Sequence, residues 1–393
     1  MLGRLRRRSP SIGDFNVFLH GLRSRELKRL PAGARTVLHG GSAGRWYFEW
    51  FAECYPTPVE RQIGVEAFAP RPPGLDDSVT WLEQSLGDLT SVDDGEIDLV
   101  FAGQVIEHLW PDEICGFLLE SHRVLRPGGV LALDSPNRRV TTAIGWEHPE
   151  HTVEFRPDEM LDLVGLAGFE DARARGVWLC YDRERNRFYR LDADVRSWSV
   201  EQRASMAAER PDDSFVWWIE AIRGGVEPNA TELTRRINEI YEDYRRFRFG
   251  RLQHRIGVVS GVGRDRLVTA APGEQGFLMF GPYIPMRPGS GVARFRIAVM
   301  PGADESAAGL LEVAIGPEAK PVAQVELTPD VLRHDGALHE VALPFILSRT
   351  ELSVEFRARS YGRTQLAALL HVDVGSDGPV SATSMAVPES ASA

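Results

Sequence analysis

Lysine is nearly missing from this chain: Lys28 and Lys320 are the only lysines among its 45 basic residues. Arginine supplies the rest, which reads as a genome-wide codon bias and not as a partner signature. Cysteine is scarce too. Cys54, Cys115 and Cys180 are widely spaced with no C-x-x-C pair, so no disulfide framework is expected and reduced, cytoplasmic thiols are. No apolar run approaches the roughly 18 residues of a membrane span, and the N-terminus lacks the apolar core of a secretory signal. The expected location is therefore inside the cell. Net positive charge is also absent: the balance of -11 argues against general nucleic-acid binding. The basic residues that exist gather early, with Arg4, Arg6, Arg7, Arg8, Arg23, Arg25, Lys28 and Arg29 against Asp14 and Glu26. Phe15, Val17, Phe18, Leu19 and Leu22 lie between them. Segment 1–32 thus reads as a basic helical extension, either packed on the domain edge or touching anionic lipid as a peripheral membrane contact.

At 393 residues and 43% hydrophobic content the chain is long enough for two ordinary globular domains. Residues 33–182 alternate strand and helix. Val37-Leu38, Gln62–Glu66, Val79–Leu82, Ile97–Ala102 and Val130–Leu133 read as strands. A helix opens at Pro111 with Ile114, Phe117, Leu118, Ser121 and Leu125 on one face, and is stopped by Pro127-Gly128-Gly129. Another runs from Pro157 to Ala167. This rhythm implies a parallel sheet covered on both faces, with ligands bound outside the carboxyl ends of its strands. Residues 183–261 are charged and read as a helical insertion, with Asn229 and Glu232 as a capping pair before Leu233, Ile237, Ile240, Tyr241, Tyr244 and Phe247. Over 262–375 short alternating runs return without helices between them: Arg294–Val299, Leu311–Ile315, His339–Leu343, Leu352–Phe356 and Leu369–Asp373. They predict an antiparallel β-sandwich. The Ser, Ala, Pro and Gly of 376–393 predict a disordered tail.

The stretch Thr36–Trp46 organises the rest. Three strand-like residues run into Gly40-Gly41-Ser42-Ala43-Gly44, and Trp46, Tyr47, Trp50 and Phe51 follow at helical period. Small residues at a strand-to-helix turn let main-chain amides approach a ligand, and the helix N-terminus adds partial positive charge. Glu66 ends the next strand about 20 residues on, where a carboxylate can accept from both ribose hydroxyls of a nucleotide. Asp88, in Ser85-Leu86-Gly87-Asp88-Leu89, follows the third strand at the same edge, either as an acceptor for an adenine amino group or as a turn cap.

Taken in order, the glycine turn, Glu66, Gly87-Asp88, Asp98-Leu99-Val100-Phe101, Ile106-Glu107-His108-Leu109 and Val124-Leu125-Arg126-Pro127-Gly128-Gly129 resemble a class I S-adenosylmethionine-dependent methyltransferase over residues 33–180. The resemblance implies an α/β, Rossmann-like fold and S-adenosyl-L-methionine as cofactor. It also implies that Gly41, Ser42, Ala43 and Gly44 pass under the methionine part. Glu66 would hold the ribose, Asp88 with Leu89 the adenine end, and Gln104 would line the other side. Two features depart from the family: His39 stands where an acidic residue is usual, and the three spaced glycines are compressed, with Ala43 at the second. Transfer to a hydroxyl needs a general base, most often histidine. His148 and His151, in Trp146-Glu147-His148-Pro149-Glu150-His151, are the first candidates, and His108 sits at the mouth of the fourth strand. Glu147 and Glu150 beside these histidines could ligate a metal, but the Pro-containing loop is poorly spaced for it and none is expected.

The acceptor is read from the second half. Gly281-Pro282-Tyr283-Ile284-Pro285-Met286-Arg287-Pro288-Gly289 before an alternating strand looks like accessory β-sandwich domains of surface-polysaccharide assembly enzymes. Asp212-Asp213-Ser214-Phe215-Val216-Trp217-Trp218 offers either a sugar-stacking surface or buried aromatic packing. The sequence therefore points to a methyltransferase for a sugar hydroxyl on a polysaccharide or lipid-linked glycan. A non-catalytic glycan-binding or regulatory protein on the same scaffold, and a methyltransferase for a non-sugar small molecule, are the alternatives.

Overall fold

The computed structural model describes residues 12–42, 44–193, 195, 198–301 and 306–375. Expectations for Ala43, for residues 1–11 and for the tail 376–393 lie outside the described residues. The chain divides into two units, residues 1–244 and 245–393.

In the first unit β1 (Thr36–Gly40), β2 (Arg61–Val65), β3 (Val79–Leu82), β4 (Ile97–Gly103) and β5 (Leu125–Pro136) pair in parallel. The strand Val216–Arg223 runs antiparallel between β5 and β6 (Phe169–Gly176), giving a seven-stranded sheet in the order β3, β2, β1, β4, β5, Val216–Arg223, β6. Successive strand residues point to opposite faces, so the near-continuous apolar runs feed two cores. Leu38, Val100, Leu131 and Leu133 join Ile114, Phe117 and Leu118 of α3 (Pro111–Val124) and Met160 and Leu163 of α5 (Pro157–Leu166). Val37, Leu99, Phe101 and Ala132 join Tyr47, Trp50 and Phe51 of α2 (Arg45–Cys54) and Leu19, Leu22 and Leu27 of α1 (Ile12–Leu27). Coverage of both faces is what a parallel sheet requires.

One expectation is overturned here. The segment 183–261 is not wholly a helical insertion, because its Val216–Arg223 stretch is an inner strand of the main sheet. Trp217 and Trp218 are 0% exposed, one in each core, so they stack on protein and present no sugar platform. Asp213, also buried, is held by Arg139, Arg183 and Arg210. The surrounding charged residues masked a short run that is apolar on both faces. The Asn229 side chain does accept from the Glu232 amide at 3.2 Å, capping the helix Ala230–Phe249.

The second unit holds two five-stranded antiparallel sheets. In one, Val258–Ser260, Leu267–Ala270, Leu366–Gly375, Gly289–Val299 and His339–Leu347 follow in order; in the other, Gln275–Met279 and Pro282–Met286 flank Glu351–Tyr361, beyond which lie Gly309–Ile315 and Lys320–Glu326. Phe295, Ile297 and Leu343 of the first sheet share an apolar cluster with Leu311, Val313 and Phe356 of the second. Among the described residues no helix is long and apolar enough to cross a membrane.

Candidate active site

The carboxyl ends of β1, β2, β3 and β4 carry the residues expected to meet the cofactor. Gly41 follows β1 with φ 64, and a Cβ there would stand 2.5 Å from a Val105 methyl. Its N–H donates to the Val65 carbonyl at 3.0 Å, fastening the turn to the end of β2. Ser42 is buried with its Oγ unpartnered among the described residues, and Gly44 begins α2 in extended backbone. The Glu66 carboxylate is half-buried; Oε1 accepts from the Phe68 amide at 3.0 Å, which leaves Oε2. Asp88 is exposed, and its Oδ1 caps its own turn by accepting from the Thr90 amide at 3.3 Å. Gln104, half-buried at φ 60, is anchored to β5: its amide donates to the Asp134 carbonyl at 2.8 Å and its Nε2 to Asp134 Oδ1 at 2.7 Å.

Leu89 is a correction. Its side chain is fully buried in the core and its N–H donates to Glu120 Oε2 at 2.9 Å, so it anchors the loop to α3 and offers nothing to a cofactor. What remains fits S-adenosylmethionine: a turn whose Gly41 carries no side chain, an orphaned buried hydroxyl at Ser42, and carboxylate oxygens that follow β2 and β3.

His39 is enclosed, not ligand-facing. It is fully buried, meets Phe51 edge-on at 4.6 Å and Phe48 at 5.1 Å, and its Nε2 lies 2.9 Å from Gln62 Oε1. Burial pushes the imidazole down to about 3, so it is neutral. A histidine depressed in the folded state binds its proton first in the unfolded chain, so its stabilising contribution is complete above about pH 6.5 and is lost as pH falls toward 3. Between pH 5.5 and 4, wild-type unfolding free energy is expected to fall relative to His39→Gln by about 1.4 kcal/mol per pH unit. Urea unfolding of both proteins checks this, and parallel curves would show that the folded imidazole titrates normally.

A second group sits past β4 and β5. The short helix Ile106–His108 follows β4, and the loop after α4 (Arg138–Ile144) is tied to it by the Thr152 amide, which donates to the Glu107 carbonyl at 2.8 Å. Glu107 is 0% exposed; Oε2 accepts from Ser135 Oγ at 2.9 Å and Oε1 has no partner among the described residues. Burial pushes its carboxyl up to about 7, with nearby His151 pulling the other way. His151, 4% exposed, sets Nδ1 2.8 Å from Glu154 Oε1, and Thr141 donates to the same carboxylate. His108 Nδ1 lies 3.2 Å from the Glu150 carbonyl. His148 stacks on His151 at 4.6 Å, with Trp146 beside both at 6.1 and 5.7 Å. Burial lowers His108 and His148, the latter also through His151 and His108, so both rings are neutral at pH 7.

The three predicted histidines therefore do converge, and Glu107 and Glu154 join them as buried carboxylates. Glu107 was legible as the residue just past a buried strand at the ligand-binding edge. Glu154 carried no signal beyond lying three residues after His151. Asp134 and Arg23 were also missed. They form a buried ion pair at 2.8 Å from residues 111 positions apart, and a Cβ on Gly103 would come 2.1 Å from the Arg23 guanidinium.

Residues 59–133, which run from β2 into β5, match the model of a methyltransferase domain. A probable S-adenosylmethionine-dependent methyltransferase of Mycolicibacterium smegmatis is 36% identical over 133 residues, covering 30% of this chain and 51% of the relative. The family match lies within the first unit. A probable S-adenosylmethionine-dependent methyltransferase of Mycobacterium tuberculosis is 40% identical over 88 residues, 22% of this chain and 31% of the relative. The chain thus spans about half the length of the first of these curated relatives and about a third of the second. A methyltransferase structure from Archaeoglobus fulgidus overlays with a TM-score of 0.38 and 18% identity, covering 52% of this chain and 94% of that one.

Proposed function

We propose that the protein transfers a methyl group from S-adenosylmethionine to a sugar hydroxyl of a polysaccharide or lipid-linked glycan. The observation that carries the reading is His151. Its Nδ1–H is directed at Glu154, which leaves the Nε2 lone pair for the acceptor, and a base oriented by a third group is the arrangement that hydroxyl activation needs. The cofactor supplies an electrophilic methyl on a sulfonium. Gly41 and Ser42 offer the turn for its amino-acid end, Glu66 accepts from the ribose and Asp88 faces the adenine end. His151 takes the hydroxyl proton as the oxygen bonds to the methyl carbon and the sulfur–carbon bond breaks. His148 is placed differently: the Glu150 amide donates to its Nδ1 at 3.3 Å, so the lone pair of that nitrogen is already engaged. The geometry thus favours His151 over His148 as the base.

Trp146, half-buried beside these histidines, takes the place of Trp217 and Trp218 as the ring on which a sugar's apolar face can stack. Trp146→Ala is expected to raise KM for the glycan about tenfold while kcat stays within about twofold, the signature of lost uniform binding. Equal losses in both would make the ring part of the catalytic geometry. The two sheets of the second unit read as a β-sandwich that holds the chain. A cleft of ≈ 440 Å³ bounded by Asp265, Arg296 and Glu340 provides charges suited to sugar hydroxyls. The test is transfer of radiolabelled methyl from S-adenosylmethionine into a cell lysate's glycan fraction. Label in methylated sugar supports the reading; label only in small molecules replaces the glycan with another acceptor.

A further inference from the structure

We propose that Glu107, His108 and His151 form a binding site for one divalent transition-metal cation, a proposal that deepens the methyl-transfer reading and rests on it. The donor atoms of these residues lie within 4.8 Å of one another. Each side chain has one polar atom occupied by the protein and one left over. Glu107 gives Oε2 to Ser135 and keeps Oε1, which is buried without a partner among the described residues. His151 directs Nδ1 at the Glu154 carboxylate, and His108 directs Nδ1 at the Glu150 carbonyl. Both rings therefore keep Nε2, and the carboxylate or carbonyl behind each imidazole is the support that metal-bound histidines have.

Two imidazoles and one carboxylate suit Zn²⁺, Co²⁺ or Mn²⁺ better than Mg²⁺ or Ca²⁺, which prefer all-oxygen shells. Three protein ligands also leave a position open. Donors bound at roughly 2.1 Å in tetrahedral geometry stand about 3.4 Å apart, so filling the site draws the most widely separated atoms in by up to about 1.4 Å. Rotation of His108, more accessible than its two partners, supplies that. The open position would take the acceptor oxygen. Loaded with the cation, His151 spends its Nε2 lone pair as a ligand and is no longer the base; the cation's charge would instead lower that hydroxyl's pKa, and the proton would leave to solvent base.

The test uses the full chain stripped by a chelator and then titrated with Zn²⁺ against a chromophoric competitor, with Co²⁺ as the spectroscopic probe. One equivalent of Zn²⁺ is expected, with a Co²⁺ d–d spectrum that Zn²⁺ bleaches. Glu107→Gln and His151→Ala are expected to weaken binding more than tenfold, and Glu154→Gln by about 10- to 100-fold. His254→Ala, in the second unit, leaves it unchanged. Where Glu107→Gln does not fold, His108→Gln takes its place. Absence of stoichiometric binding, or affinity untouched by both the Glu107 and His151 substitutions, overturns the proposal. Undiminished methyl transfer in excess chelator also overturns it while leaving the methyl-transfer reading intact. Stoichiometric Zn²⁺ with no transfer to any acceptor has the opposite meaning: the cation stands and the function falls.

Discussion

His151→Ala is expected to lower methyl transfer by roughly 10²- to 10⁴-fold, the range a positioned acid–base group contributes. Affinity for S-adenosylhomocysteine is expected to stay within about threefold, because Gly41, Ser42 and Glu66 are not altered. The argument turns on orientation. His151 is held from behind by Glu154, and Glu154 by Thr141, so the ring presents one nitrogen in one direction. Glu154→Gln keeps the shape but removes the charge that fixes the tautomer, and a smaller loss of about 10- to 100-fold in kcat is expected, with a shifted pH profile. A structural role alone would lower the melting temperature and the active fraction while leaving the pH profile of the remaining activity where it was. Steady-state kinetics from pH 6 to 9 on the two variants separates these outcomes.

The second large effect concerns stability. Arg23 and Asp134 are 9% and 0% exposed at the side chain. Asp134 accepts from Arg23 Nε at 3.0 Å and Nη2 at 2.8 Å, and from Gln104 Nε2 at 2.7 Å. Burial opposes the Arg23 charge and Asp134 more than offsets it, so the guanidinium stays protonated. Arg23→Ala leaves a buried carboxylate with one side-chain donor and is expected to cost about 3–5 kcal/mol. Replacing both partners with apolar residues, Arg23→Met with Asp134→Leu, is expected to recover most of that loss, since the penalty is the unpaired charge and not the missing attraction. Urea unfolding of the single and double variants decides it. A cost below about 1 kcal/mol for the single variant would place the pair in solvent.

These residues also mark what a sequence can and cannot disclose. The five parallel strands were legible because alternate residues such as Val37 and Leu38, or Leu99 and Val100, must feed two cores, and Pro111 and Pro157 open helices where proline's missing N–H costs nothing. The strand Val216–Arg223 was hidden because a strand buried on both faces loses its alternation, and charged flanks pulled the reading toward helix. The site divides in the same way. Glu66, Asp88 and the glycine turn follow from local order along the chain, whereas the pairing of His151 with Glu107 across 44 positions, and of Arg23 with Asp134, exists only once the sheet is assembled. Leu89 misled because a residue beside a cofactor loop is as readily a core anchor. His39 shows that a departure from a family pattern can be absorbed by packing, here an aromatic enclosure that keeps the ring neutral.

The central claim is that the carboxyl edge of the first sheet holds S-adenosylmethionine, with Glu66 on the ribose. Calorimetric titration of the full chain with S-adenosylhomocysteine tests it most directly, comparing wild type with Glu66→Ala. One site per chain is predicted, weakened about 10- to 100-fold by the substitution, as loss of hydrogen bonds to a charged group requires. No binding to the wild type, or equal affinity in both proteins, would contradict the account.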